Sequence, residues 1–430
     1  MSFTAIVLGA IVVHWLLDVC STVLNIGALS TVLPARFRGV YEPERYARSQ
    51  EYTRAKGRLS IVSSTYSTIV FLALWFSGSF NAVDAAVRRL GQSTIVTGIL
   101  FIFSVLAILA VLELPVSVYM TFVIETRFGF NKTSVSTFVT DILKKVALAL
   151  LLGSPLLAVL LSFLLYAGPS AWLYCWAALA LFTLLMFFIG PKYLLPLFNK
   201  LTPLDDAELA GQIRRLADRV RFSFGSIYVM DGSKRSNHSN AFFAGLGSTK
   251  RIVLFDTLLK SQSSNEIVAI LGHEMGHYKL GHIYMNLAFS MAHTFALFFL
   301  MNFIINSDDL PRTFLIEKRS VYVGLFFFTQ VLAPIELVMQ FAITACSRFC
   351  EYQADRFAVD TIDDPADLVT ALMKLSVDNL SNLTPHWLTV AMSYTHPPIL
   401  QRIEAVESRM ANSTVDNEED EDLPLRRRLV

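Results

Sequence analysis

The chain has 430 residues, enough for two or three domains, of which 54% are apolar and only 17% charged. A water-soluble domain averages about 25% charged residues, so the deficit excludes an ordinary soluble protein. The 36 basic and 35 acidic side chains leave a formal net charge of +1, which gives no electrostatic basis for nucleic-acid binding, and no nucleic-acid partner is expected.

The N-terminus, Met1-Ser2-Phe3, turns apolar at once. With no basic segment before the apolar run and no A-x-A-like site, no removable signal peptide is expected. Seven apolar stretches approach the roughly 20 helical residues that cross a bilayer: 3–30, 60–80, 95–124, 146–167, 171–195, 283–306 and 320–345. Core helices of a soluble protein would carry a polar stripe, yet Val146 to Ala167 contains no charge. Gly168-Pro169-Ser170 then separates the fourth and fifth spans as a tight hairpin turn.

Loop charge predicts the orientation. The first loop holds Arg36, Arg38, Arg45, Arg48, Arg54, Lys56 and Arg58, and the third holds Arg127, Lys132, Lys144 and Lys145. The second has only Arg88 and Arg89, and the fourth has none. The odd loops are therefore expected in the cytosol and the N-terminus in the lumen or outside. Seven spans then place both 196–282 and the chain after 345 on the cytosolic side. Asp18, Glu113 and Glu336 are costly in lipid and predict a bundle interior or wet cavity, a local pair being the plainer alternative.

The expected organisation is 1–195 for spans one to five, 196–282 for the first part of a small α+β domain, 283–345 for spans six and seven, 346–411 for its second part, and 412–430 for a disordered acidic tail. Within 196–282, an amphipathic helix is predicted over 206–220 and short strands over Ser226–Met230, Ser239–Phe243 and Arg251–Phe255. Ser263 and Glu266 form a capping-box pattern ahead of a helix running from about 264 through 277. Cys20, Cys175, Cys346 and Cys350 include no C-x-x-C pair and read as reduced and structural.

His273-Glu274-Met275-Gly276-His277 is the H-E-x-x-H pattern on that helix. Residues four apart lie about 40° apart around a helix, so both imidazoles can share one zinc ion with Glu274 beside them. Alone, such a pattern can be no more than a satisfied polar helix face. Leu280 and Ile283 occupy the positions where a metzincin would have its glycine and third histidine. His282, nine residues from His273, falls on the opposite side of a continuous helix. A distant acid is the better third ligand: Glu351 and Asp355 share a helix face just past the last span. One can bind metal while the other hydrogen-bonds a ligand histidine; a solvated helix face is the plainer alternative. His396 and Arg402 are candidate donors to a tetrahedral oxyanion. Asn240-Ala241-Phe242 is a candidate edge strand that would pair with an extended substrate, if it is not an ordinary core strand.

Together these segments resemble the type I CAAX prenyl proteases over nearly the whole chain. The resemblance rests on Glu125-Thr126-Arg127-Phe128-Gly129-Phe130-Asn131-Lys132, Pro196-Leu197-Phe198-Asn199, Asn237-His238-Ser239-Asn240-Ala241-Phe242-Phe243, the H-E-x-x-H segment, Glu351-Tyr352-Gln353-Ala354-Asp355 and His396-Pro397-Pro398. Tyr352, where phenylalanine is frequent, and Gln401, where an acid is common, depart from the pattern without touching the proposed ligands. The resemblance implies one Zn2+ per chain on His273, His277 and Glu351, Glu274 as the base, and Asp355 as a catalytic acid behind the ligands. It also implies an α-helical polytopic membrane protein, its seven helices enclosing a chamber, with a zincin-like α+β metalloprotease domain at the cytosolic end. The implied reaction removes the last three residues of prenylated Cys-a-a-X proteins at the endoplasmic reticulum membrane, which is continuous with the inner nuclear membrane. The implied partners are the prenylated protein or peptide and membrane lipid. A membrane quality-control protease is one alternative, disfavoured by seven spans. A transporter or receptor with a degenerate metal site is another, disfavoured by the intact motif.

Overall fold

The computed structural model describes residues 3–245 and 250–421, with side chains described to 412. In chain order, the first elements are α1 (Phe3–Gly27), α2 (Pro43–Phe76), α3 (Ser79–Arg88), α4 (Thr94–Tyr119), α5 (Val135–Tyr166) and α6 (Ala171–Ile189). There follow α7 (Leu195–Phe198), β1 (Leu201–Pro203), α8 (Ala207–Arg219), β2 (Ser226–Met230), β3 (Ala241–Ala244), β4 (Arg251–Phe255) and α9 (Asp256–Ser261). The last are α10 (Ser264–Lys279), α11 (His282–Ile304), α12 (Asp309–Thr313), α13 (Val321–Val359), α14 (Ala366–Asp378), α15 (Trp387–Ser393) and α16 (Ile399–Glu421). Of the tail expected over 412–430, the backbone continues α16 to Glu421 and the rest lies outside the described residues.

Two units emerge. The first comprises 1–26, 54–194 and 285–341. Among the described residues of the whole chain, seven helical stretches are long and apolar enough to cross a membrane: Phe3–Gly27, Pro43–Phe76, Thr94–Glu125, Val135–Tyr166, Gly168–Phe198, His282–Ile304 and Val321–Val359. The expected spans fall on these stretches, but the second and fourth helices begin well upstream of them, at Pro43 and Val135. The faces of the first unit carry Val62, Leu151, Leu181 and Val338, each more than 60% exposed, which suits hydrocarbon and not water. Its interior packs Trp75, Phe101, Tyr322 and Phe327 together. Two of the intramembrane acids have close partners: Glu113 accepts from the Ser67 hydroxyl, and Glu336 Oε1 lies 3.1 Å from His293 Nε2. Glu113 also lines an open cavity of about 400 Å³ with Lys56, Ser60, Ser63 and Ser117. Pairing with neighbouring polar groups is how such carboxyls persist at membrane depth.

The second unit comprises 27–53, 195–284 and 342–430. It thus takes in the first basic loop as far as Thr53, and the loop's Phe37, Tyr41 and Tyr46 are buried in the same core as Ile213, Leu254, Leu271 and Ala358. Its four described strands are ordered β1-β2-β4-β3. β2 and β4 run parallel, and β1 and β3 pair antiparallel at the two edges. β1 was not foreseen: three residues including Pro203 are too short to show a strand pattern, and Pro is confined to edges or strand ends. The strand expected over Ser239–Phe243 starts two residues later, because Ser239 and Asn240 are held by side-chain hydrogen bonds.

Candidate metal centre

The capping box is formed: Ser263 Oγ accepts from Glu266 N at 3.3 Å, and Glu266 Oε2 accepts from Ser263 N at 2.7 Å. Lys374 Nζ at 2.8 Å offsets the charge of this buried carboxylate. The cap anchors α10 with its apolar face, including Ile267, Leu271 and Met275, in the core. Two glycines then let α10 lie close to its neighbours. A Cβ on Gly276 would stand 3.1 Å from the Cα of Ala354, and one on Gly272 would meet Ile362 at 2.8 Å. The close approach at Gly276 brings the segment of α13 carrying Glu351 and Asp355 alongside His273 and His277.

The result is a compact set of donor atoms. His273 Nε2 and His277 Nε2 are 3.1 Å apart, and Glu351 places Oε2 at 3.4 Å from the first and Oε1 at 3.2 Å from the second. Ligand atoms about 2.0–2.1 Å from a tetrahedral zinc ion would be about 3.3 Å from one another. Glu351 Oε2 is buried without an aligned hydrogen-bond donor among the described residues. Two imidazoles and a carboxylate whose ligand atoms converge within 4.8 Å of one another are a donor set that fits a divalent cation.

Each imidazole has a different partner behind it. His273 Nδ1 lies 2.8 Å from Asp355 Oδ1. Asp355 is in turn gripped by Arg402, with Nε donating to Oδ2 at 2.8 Å and Nη2 to Oδ1 at 2.7 Å. Arg402, expected as a donor to the oxyanion, is therefore buried with two of its nitrogens committed to Asp355, and Nη1 is 3.5 Å from Glu351 Oε2. His277 Nδ1 lies 3.0 Å from His282 Nδ1, and His282 Nε2 lies 2.9 Å from Gln353 Oε1.

The contact with His282 corrects the expectation that this residue faces away. α10 ends at Lys279, and Gly281 takes a left-handed φ of +74° before α11 begins. The chain turns there, and His282 comes back onto His277. Glycine just past a helix end is the sequence signal that could have revealed the break. Burial lowers the proton affinity of the His273 imidazole, but hydrogen bonds with Asp355 and Glu351 outweigh this and raise its pKa to about 9. Glu274 is half-buried, and its desolvation raises the carboxyl pKa, partly countered by His273 and His277.

His396 is 63% exposed and sets Nδ1 2.7 Å from Glu351 Oε2. Asn240, Ala241 and Phe242 lie at and just before the start of β3, an edge strand whose hydrogen-bonded neighbour is β4. Asn379 was not singled out by the sequence, but its Oδ1 accepts from Ser239 N at 3.2 Å and lies 3.0 Å from His238 Nδ1, tying down the segment that leads into that edge.

Comparison with known proteins covers the same ground. Residues 23–200 match the family described as CAAX prenyl protease N-terminal, five membrane helices, and residues 203–410 match peptidase family M48. A CAAX prenyl protease 1 homolog from Arabidopsis thaliana is 34% identical over 414 residues, covering 94% of this chain and 97% of that one. CAAX prenyl protease 1 from Saccharomyces cerevisiae is 36% identical over 405 residues, covering 88% and 89%. The crystal structure of S. mikatae Ste24p superposes with a TM-score of 0.90 at 32% identity, covering 94% of this chain and 99% of that one.

Proposed function

The chain belongs to the CAAX prenyl protease family of M48 metallopeptidases, and from that premise we propose that it is a zinc endopeptidase removing the last three residues of prenylated Cys-a-a-X proteins. We place it in the endoplasmic reticulum membrane with its active site toward the cytosol, a reading supported by the Lys and Arg bias of the odd loops. The observation that carries the chemistry is the convergence of His273, His277 and Glu351 from two helices, with Glu274 beside them.

His273, His277 and Glu351 would hold one zinc ion, which would supply Lewis acidity for carbonyl polarisation and water activation. Glu274 takes the proton of the attacking water and delivers it to the leaving amine. Its burial raises the carboxyl pKa, partly countered by His273 and His277, which makes the carboxylate a stronger base. Asp355 holds Nδ1 of His273, so that Nε2 is turned toward His277 and Glu351, and Arg402 neutralises Asp355. His396, at the exposed side of the site and 2.7 Å from Glu351 Oε2, is our candidate donor to the oxyanion. The outer edge of β3 at Asn240, Ala241 and Phe242 receives the peptide main chain by strand addition.

The test is incubation of the purified full-length protein with a farnesylated and an unprenylated Cys-a-a-X peptide, the products being weighed by mass spectrometry. Loss of the C-terminal tripeptide from the farnesylated peptide alone is expected. Equal cleavage of both would point to a broader specificity, and cleavage of neither would overturn the proposal.

A further inference from the structure

His282 and Gln353 take no part in the chemistry above, yet His282 is only 3% exposed and lies edge-on to His277, with ring centroids 5.1 Å apart. Their contacts impose an order on the protons. Gln353 Oε1 can only accept a hydrogen bond, so the 2.9 Å contact requires the proton of neutral His282 to sit on Nε2. His282 Nδ1 is then a lone pair. The 3.0 Å contact to His277 Nδ1 requires a proton on the His277 side. That leaves the lone pair of His277 on Nε2, the atom facing His273 and Glu351. The opposite proton order would place a hydrogen on His277 Nε2 and block coordination.

We propose that His282 is a positioning residue: through its Nδ1 it holds His277 in the tautomer and ring orientation that offer Nε2 to the metal, with Gln353 setting the polarity of the chain. This rests on the reading of His273, His277 and Glu351 as the metal site. The two histidine ligands are thereby held differently, His273 by a carboxylate locked to an arginine and His277 by a neutral imidazole. The device also explains the glycine at 281, since only the left-handed turn there returns the next residue onto the helix just ended.

The experiment measures zinc affinity of the purified full-length protein by competition with a chromophoric chelator. The parent, His282→Leu, His282→Asn and His273→Ala are compared. His282→Leu keeps bulk but removes the acceptor, and a 10–100-fold weakening is expected, the usual effect of losing the group behind a ligand histidine. In His282→Asn the side-chain oxygen can stand near the position of Nδ1, so most of the affinity should return. Affinity in His282→Leu equal to the parent, or a loss in His282→Asn as large as in His282→Leu, overturns the proposal. If the parent binds no more zinc than His273→Ala, the reading of the metal site itself fails. Should His282→Leu not fold, the tautomers can be read without it. Two-bond ¹H–¹⁵N correlation spectra of the zinc-loaded, ¹⁵N-histidine-labelled parent in micelles, assigned by the signals missing from His282→Asn, should show His282 carrying its proton on Nε2. A proton on Nδ1 of His282 overturns the relay.

Discussion

The Cα of Gly276 faces the backbone of Ala354 so closely that a Cβ there would stand 3.1 Å from the Ala354 Cα and 3.2 Å from its carbonyl oxygen. The neighbour is a helix backbone, not the end of a flexible side chain, so it cannot move aside without carrying Glu351 and Asp355 with it. A position inside the H-E-x-x-H segment that offers no metal-binding side chain thus sets the distance between the helix carrying His273 and His277 and the helix carrying Glu351. Gly276→Val should therefore separate them. Overpacking of this kind costs about 1–3 kcal/mol, so thermal unfolding should shift down and zinc content should fall. A variant with parental melting and full zinc would show that the approach is not needed.

His273→Ala should remove most of the bound metal, because it deletes one of three ligand atoms that lie within 4.8 Å of one another. Elemental analysis of the purified variant checks this. Stoichiometric zinc retained in it would count against the assignment of ligands.

Glu274→Gln should keep zinc and lose turnover. The amide is nearly isosteric, but it cannot accept a proton at neutral pH, and general-base assistance is typically worth about 10²–10⁴-fold. The loss should appear in kcat, with peptide binding largely kept. In the parent, the rate should fall as pH drops through the pKa of this carboxyl, since the base must be ionised. Zinc loss together with activity would make Glu274 a ligand or a structural residue; near-parental turnover would rule out the mechanism.

Arg402→Met should destabilise the protein and not merely slow it. Asp355 is 2% exposed and both of its oxygens accept from Arg402. Removing one member of a buried ion pair leaves an uncompensated charge, at a cost of about 3–5 kcal/mol. Replacing both residues, in Arg402→Met with Asp355→Leu, should recover part of the stability but not the zinc affinity, because His273 then lacks its partner at Nδ1. Equal stability in the single variant and the parent would contradict the role given to the pair.

Topology can be read by labelling Lys234→Cys and Val415→Cys, in a background freed of native cysteines, in sealed microsomes. Both sites should react with an impermeant reagent added outside. Protection of both would reverse the orientation inferred from the loop charges.

Much of this architecture was legible in the sequence because it is written in local patterns. Uninterrupted apolar runs mark helices that need no water, and the seven candidate spans lie on them. The Ser263–Glu266 box marks the start of α10, and helical spacing alone places His273 and His277 on one face. The acidic pair at Glu351 and Asp355 was visible by the same spacing. What tertiary structure decided is how these faces meet. Arg402 reaches Asp355 across 47 residues of chain and His273 across 129, and no periodicity records such contacts. The place of His282 depends on one dihedral, the left-handed φ at Gly281, which ends a helix that the apolar pattern would carry onward. The first basic loop is marked in the sequence by its charges alone, yet Phe37, Tyr41 and Tyr46 are buried in the core of the second unit. Charge patterning reports the side of the membrane on which a loop stands, but only packing determines what its aromatic residues lie against.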